Sequence, residues 1–146
     1  MYKILLAIVL ITTSLLASEV KKSILWQKDF KSGIKEAKKE NKPVLFVYSR
    51  HTCKYCVVLE KNAFSDKRVI DALNKDFISI ISYTDENDYT PRELLSSATP
   101  TLWFLKPDGH PMFQPLMGAV DKKSFLEALH IVKKEFDKVN EKREKK

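Results

Sequence analysis

The chain has 146 residues, 44% hydrophobic and 31% charged, with a formal net charge of +7 and two cysteines. That length supplies a single domain with one core, and no internal repeat or Gly/Ser/Pro-rich linker divides it. The lysines of "KSGIKEAKKENK" and "KKEFDKVNEKREKK" alternate with Glu and Asp as on solvated helix faces, so the uninterrupted basic patch of a nucleic-acid binder is missing.

In chain order, Met1-Tyr2-Lys3 precedes the apolar run "ILLAIVLITTSLLA" and then Ser18 and a charged segment. A short basic start, an apolar centre and a small residue before polar sequence predict a secretory signal over residues 1–18, cleaved after Ala17 or Ser18. A spanning helix needs about 20 apolar residues, and this run is shorter and broken by Thr12, Thr13 and Ser14; an uncleaved anchor is the alternative. No cysteine follows the run, which argues against a lipoprotein. The remaining 19–146 is read as one domain with its core at about 26–139 and a charged C-terminal helix end.

Phe30, Ile34 and Ala37 recur at helical spacing, and Asn41-Lys42-Pro43 ends that helix. "VLFVYS" at 44–49 is an unbroken apolar run, as in a strand buried on both faces of a sheet. A helix begins at Cys53, Ser65-Asp66 caps another, and "FISIIS" at 77–82 is a second strand. "YTDENDYTPREL" leads through a short helix to "PTLWFL", a third strand, and Lys106-Pro107-Asp108-Gly109 forms a tight turn into an antiparallel return. Phe125, Leu129, Val132, Phe136 and Val139 make the apolar stripe of a closing helix. Parallel strands joined by helices, then a hairpin and a helix, predict a single-domain α/β fold with a central mixed sheet flanked by helices.

The only cysteines, Cys53 and Cys56, sit three positions apart in "SRHTCKYCVVLEK". A haem site needs His after the second Cys, where Val57 stands. A zinc site would draw on His51, Cys53 and Cys56, with His110 as a fourth ligand, and lacks a second close-spaced pair. A structural disulfide here would close so small a loop that it stabilises little. The remaining reading is a redox dithiol. Cys53 at a helix N-terminus, beside Lys54, has unpaired N–H groups and the positive end of the helix dipole to favour its thiolate. Cys56, one turn further in, is suited to resolving a mixed disulfide, and Tyr55 between them either shapes a partner's approach or covers the pair.

From about Lys42 to Leu129 these residues resemble the thioredoxins: "PVLFVYSRHTCKYC" for the strand and active-site helix, "TPTLWFLKPDG" for the proline segment and hairpin, "GAVDKKSFLEAL" for the last strand and helix. "CKYCVVLEKNAFSDKRV" is similar to exported thioredoxin-like domains such as the C-terminal domain of the disulfide reductase DsbD, including the acidic Glu60. The resemblance implies a thioredoxin-like fold, Cys53 as nucleophile, Cys56 as resolving thiol, and Pro100, after Thr99, as a cis proline facing the cysteines. It also implies that Lys54, Tyr55, Thr99 and Pro100 meet the substrate, and that no cofactor or metal beyond the dithiol is required. The chain departs from the family at Thr52, where a Trp is usual before the first Cys, and at Val47, where many members carry a buried acid that assists proton transfer. Glu60, four residues after Cys56, is the candidate to take over that task, its other reading being a solvated surface Glu.

The implied function is a periplasmic thiol-disulfide oxidoreductase, a monomer that exchanges electrons with protein thiols and disulfides. The short segments leave no place for the helical insertion of DsbA-type oxidases or the dimerisation domain of exported isomerases. That leans the reading towards a disulfide reductase or electron relay, with a membrane electron donor or cytochrome c maturation proteins as candidate partners. The competing reading is a non-catalytic binding module holding peptides at Pro100, or a metal carrier using His51, Cys53 and Cys56.

Overall fold

Residues 44–49 form strand β1 (Val44–Ser49), whose side chains alternate between two apolar cores, so the strand must be covered on both faces. The structure, a computed structural model, describes residues 23–145. The expected signal segment at 1–18 lies outside them.

Helix α1 (Phe30–Glu40) opens at Asp29, whose carboxylate accepts a hydrogen bond from the Ser32 N–H at 2.7 Å, and closes at Asn41 in the left-handed conformation, φ 49°. After β1 come α2 (Lys54–Asn62), α3 (Lys67–Asp76), capped by Asp66, and strand β2 (Ile78–Tyr83). Strands β3 (Thr101–Leu105) and β4 (Leu116–Met117) follow, and α4 (Lys122–Glu144) starts at Asp121, which accepts from the N–H groups of Lys123 and Ser124.

The sheet order is β2-β1-β3-β4, with β1 parallel to β2 and antiparallel to β3, and β4 antiparallel to β3. Leu45 and Val47 of β1 join Leu102, Phe104, Leu59, Leu73, Phe125 and Leu129 in the core beneath α2, α3 and α4. Val44 and Phe46 turn the other way, onto Ile78, Ile80, Leu105 and the Ala37 side of α1. The result is the expected α/β thioredoxin-like fold with helices on both faces of a mixed sheet.

Three local expectations are refined. Only β1 and β2 run parallel, because the link from β2 to β3 holds two 3₁₀ turns, Thr84–Glu86 and Arg92–Leu94, instead of the helix a parallel crossover requires. The tight turn forms as read, with the Gly109 N–H donating to the Lys106 carbonyl at 2.9 Å and Gly109 at φ +94°. The return strand is short, however. It touches β3 at Pro111 and again at Leu116–Met117, and Pro111 and Pro115 have no N–H to donate to a longer ladder. In the α4 stripe, Phe125, Leu129, Val132 and Phe136 are buried while Val139 is 39% exposed.

Helix α1 rests against β2 through Gly33, where an added Cβ would lie 2.4 Å from Ile80 Cδ1 and 2.5 Å from its Cγ1. Gly33→Ala gains about 1 kcal/mol of helix propensity but overpacks a filled core, at a cost of about 1–3 kcal/mol. The expected outcome is a lowered denaturant midpoint with unchanged slope, and a larger fall for Gly33→Leu. A midpoint at or above wild type for Gly33→Ala would mean that the contact with Ile80 gives way freely.

Candidate functional site

The C-terminal end of β1 hands the chain to a short turn in which the Cys53 N–H donates to the Arg50 carbonyl at 3.3 Å, and α2 begins at once. Cys53 is the N-cap of that helix, and its Sγ accepts from the Cys56 N–H at 3.2 Å, the bond that a Ser or Asp cap would otherwise make. Both thiols are free; Cys53 is half-buried and Cys56 is buried. The Thr99–Pro100 peptide bond is cis, Pro100 is buried, and the Cys53 thiol donates to the Thr99 carbonyl at 3.3 Å. The start of β3 therefore faces the cysteine pair directly.

The two thiols are electrically unequal. Desolvation works to raise Cys53, but hydrogen bonds from Cys56, the Thr99 side chain and the backbone N–H groups of Cys56 and Tyr55 outweigh it, and Cys53 lies below the ordinary thiol value. For Cys56 desolvation prevails, reinforced by the hydrogen bond with Cys53, and the thiol is pushed up despite opposing bonds from Ser49, Arg50 and Thr99. At neutral pH the outer sulfur carries the larger thiolate fraction and the inner one holds its proton.

The loop after β2 braces the turn before Cys53. Asp85 Oδ2 accepts from the His51 N–H at 2.9 Å and the Thr52 N–H at 3.4 Å, and Arg50 Nε donates to Thr84 Oγ1 at 3.2 Å. The His51 ring bonds Glu86 through Nε2 at 2.8 Å and stacks on Tyr83, ring centroids 3.8 Å apart. Tyr83 in turn donates its hydroxyl to Glu60 Oε1 at 3.2 Å.

A family model described as a thioredoxin-like domain matches residues 30–133. The chain belongs to this thioredoxin-like family. The thioredoxin-like domain is 29% identical to Anterior gradient protein 3 of Mus musculus in an alignment of 77 residues that covers 47% of this chain and 47% of that protein. It thus spans about half the length of that relative. Among solved structures it superposes on a thioredoxin from Thermus thermophilus with a TM-score of 0.64 at 24% identity, covering 75% of this chain and 87% of the other. The DsbD C-terminal domain of Neisseria meningitidis, in its oxidised form, gives a TM-score of 0.54 at 20% identity, covering 68% of this chain and 89% of the other. At these identities the likeness is one of fold.

Within this thioredoxin-like domain the residues singled out in the sequence divide clearly. Cys53, Cys56, Thr99 and Pro100 come together. Lys54 and Tyr55 stand exposed on the first turn of α2, Tyr55 at 61%, available to an approaching molecule. Val47 is fully buried among Leu59, Leu102 and other apolar side chains, so no acid occupies that place. Glu60 is half-buried, lines a cleft of about 200 Å³ with Trp26, Phe64, Ile81 and Tyr83, and accepts a hydrogen bond from Tyr83, no lysine among the described residues pairing with it. His51 is drawn to Glu86 and Tyr83, and His110 caps its turn through an N–H to Asp108 Oδ1 at 3.1 Å. Among the described residues no group of three or more His, Cys, Asp or Glu side chains is placed to hold a metal ion, so His51, Cys53 and Cys56 are not gathered as a metal-carrier site. Sequence reasoning missed Tyr83, Asp85 and Glu86. They lie in a polar stretch with no spacing of their own, and only the end-to-end pairing of Ser49 with Tyr83 brings that stretch to the cysteines.

Proposed function

We propose that the domain is a thiol-disulfide oxidoreductase of the reductase or electron-relay type, acting on protein disulfides in the periplasm. The observation that carries this reading is the asymmetric dithiol at the start of α2, with Cys53 lowered and Cys56 raised, set against the cis Thr99–Pro100 segment. The Cys53 thiolate attacks a substrate disulfide, forming a mixed disulfide and expelling one substrate thiolate. Cys56, having lost its proton, attacks Cys53 Sγ; the Cys53–Cys56 bond forms and the second substrate thiolate leaves with the electron pair. Two electrons pass from the dithiol to the substrate, and a reduced partner, such as a membrane electron donor, restores it. Lys54, Tyr55, Thr99 and Pro100 form the rim against which the client chain rests. The lean towards reduction is supported by the β2–β3 connection, which carries only two 3₁₀ turns and no helical insertion.

The test is insulin reduction in dithiothreitol together with equilibration against a thiol redox buffer. Accelerated insulin precipitation and a potential nearer to about −270 mV than to about −120 mV are expected. An inert pair would overturn the oxidoreductase reading, and a potential near the upper figure would overturn its direction.

A further inference from the structure

We propose that Tyr83 is a positioning residue for this exchange: its hydroxyl holds the Glu60 carboxylate on the face of α2 that carries Cys56, while its ring is held by His51. The proposal rests on the dithiol reading above and adds to it the fixing of the proton acceptor. A glutamate on a helix surface samples several rotamers, and a proton acceptor that wanders by 1 Å loses much of its effect. Here each link in a chain of contacts removes that freedom. Asp85 ties the backbone of His51 and Thr52, Glu86 ties the His51 ring, and the ring lies on Tyr83 at an interplanar angle of 15°. The Tyr83 N–H donates to Asp88 Oδ2 at 2.9 Å, which fixes the base of the residue, and its hydroxyl reaches Glu60 Oε1 at 3.2 Å. Glu60 Oε2 is left to take a proton.

The surroundings agree with that division. The cleft beside Glu60 is walled by Ile24, Trp26, Phe64 and Ile81, and among the described residues no lysine or arginine pairs with Glu60. The ionisable groups around the pair are Cys56 on α2, His51 on the preceding turn and Glu86 on the loop after β2. Burial, and then the charge of Glu60, push the Tyr83 hydroxyl well above its ordinary value, so it stays a donor throughout the working pH range. In the resolving step the Cys56 proton passes to Glu60 Oε2, directly or through one water, as Cys56 Sγ attacks Cys53 Sγ. The bond from Cys53 to the substrate sulfur breaks, its electron pair leaves on that sulfur, and the proton goes on to the departing thiolate or to solvent.

The experiment follows dithiobis(nitrobenzoate) reduction by stopped flow, in which the first nitrothiolate reports attack by Cys53 and the second reports resolution by Cys56. Tyr83→Phe keeps the ring and its stack on His51 and removes only the hydroxyl. The expected result is an unchanged first phase, a second phase slowed by about five-fold, and no added slowing when Tyr83→Phe is placed on Glu60→Gln. An unchanged second phase, equal slowing of both phases, or the same slowing in the Glu60→Gln background would each overturn the assignment. An unchanged second phase in Glu60→Gln alone would remove the acceptor and Tyr83's role with it. Failure of the wild-type chain to release either nitrothiolate would instead overturn the dithiol reading.

Discussion

Cys53→Ser is expected to abolish disulfide exchange, lowering the insulin-reduction rate by at least about a thousand-fold, because a serine hydroxyl stays protonated at neutral pH and cannot replace the attacking thiolate. Cys56→Ser keeps the attacking sulfur but removes the resolving one, so it should accumulate mixed disulfides with partner proteins, while Cys53→Ser traps almost none. The asymmetry of the two thiols also sets a pH dependence. Cys53 sits at the helix start, bonded by Cys56, Thr99 and backbone N–H groups that outweigh its desolvation, and lies below the ordinary thiol value. Its alkylation by iodoacetamide should therefore rise with pH through a midpoint below that of an ordinary thiol. Cys56, desolvated and pushed up, should react only at more alkaline pH. The sign follows directly: groups that favour the thiolate lower the pH at which it forms, and burial without compensation raises it. Equal trapping by the two Ser variants would remove the assignment, and a first midpoint belonging to Cys56 would exchange their roles.

What could be read from the sequence is what short-range chemistry decides. "VLFVYS" announces a strand covered on both faces because neither parity of its side chains is polar until Ser49, and both faces are covered. Asp66 reads as a cap and is one, and Cys53 reads as a helix start and occupies the N-cap itself. The direction of β3 was not readable. It depends on the path of a 17-residue polar connection, residues 84–100, whose two 3₁₀ turns carry no strong periodicity. The cis bond at Thr99–Pro100 was expected from family resemblance, not from any local signal of those two residues. His51 shows the limit most clearly. Beside two cysteines it resembles a metal ligand, and only its partners Glu86 and Tyr83, both more than 30 positions away, show where the ring goes. Glu60 is similar: a carboxylate one turn after Cys56 is equally compatible with solvent or with the site until Tyr83, 23 positions on, supplies its hydrogen bond.

That contact turns the choice between the two readings of Glu60 into a kinetic measurement. Val47 puts an apolar side chain at the place where the family resemblance implies a buried acid, and it can take no proton from Cys56. Cys56 is buried and its pKa is raised, which makes unaided loss of that proton slow near neutrality. Residues 56 and 60 share one face of α2, and Glu60 is half-buried, with its carboxylate held by Tyr83 and paired with no lysine among the described residues. Glu60→Gln preserves size and can still accept the Tyr83 hydrogen bond through its amide oxygen, but it cannot take up a proton. Resolution of the mixed disulfide should therefore slow by about ten-fold or more near pH 7, while the attack of Cys53 is unchanged. As pH rises towards the raised pKa of Cys56, that thiol ionises without help and the deficit should shrink. A carboxylate acting only as surface contributes at most a few tenths of a kcal/mol through local pairing and leaves the rate profile untouched. Superimposable rate–pH profiles for wild type and Glu60→Gln would assign Glu60 to the surface and leave water as the acceptor of the Cys56 proton.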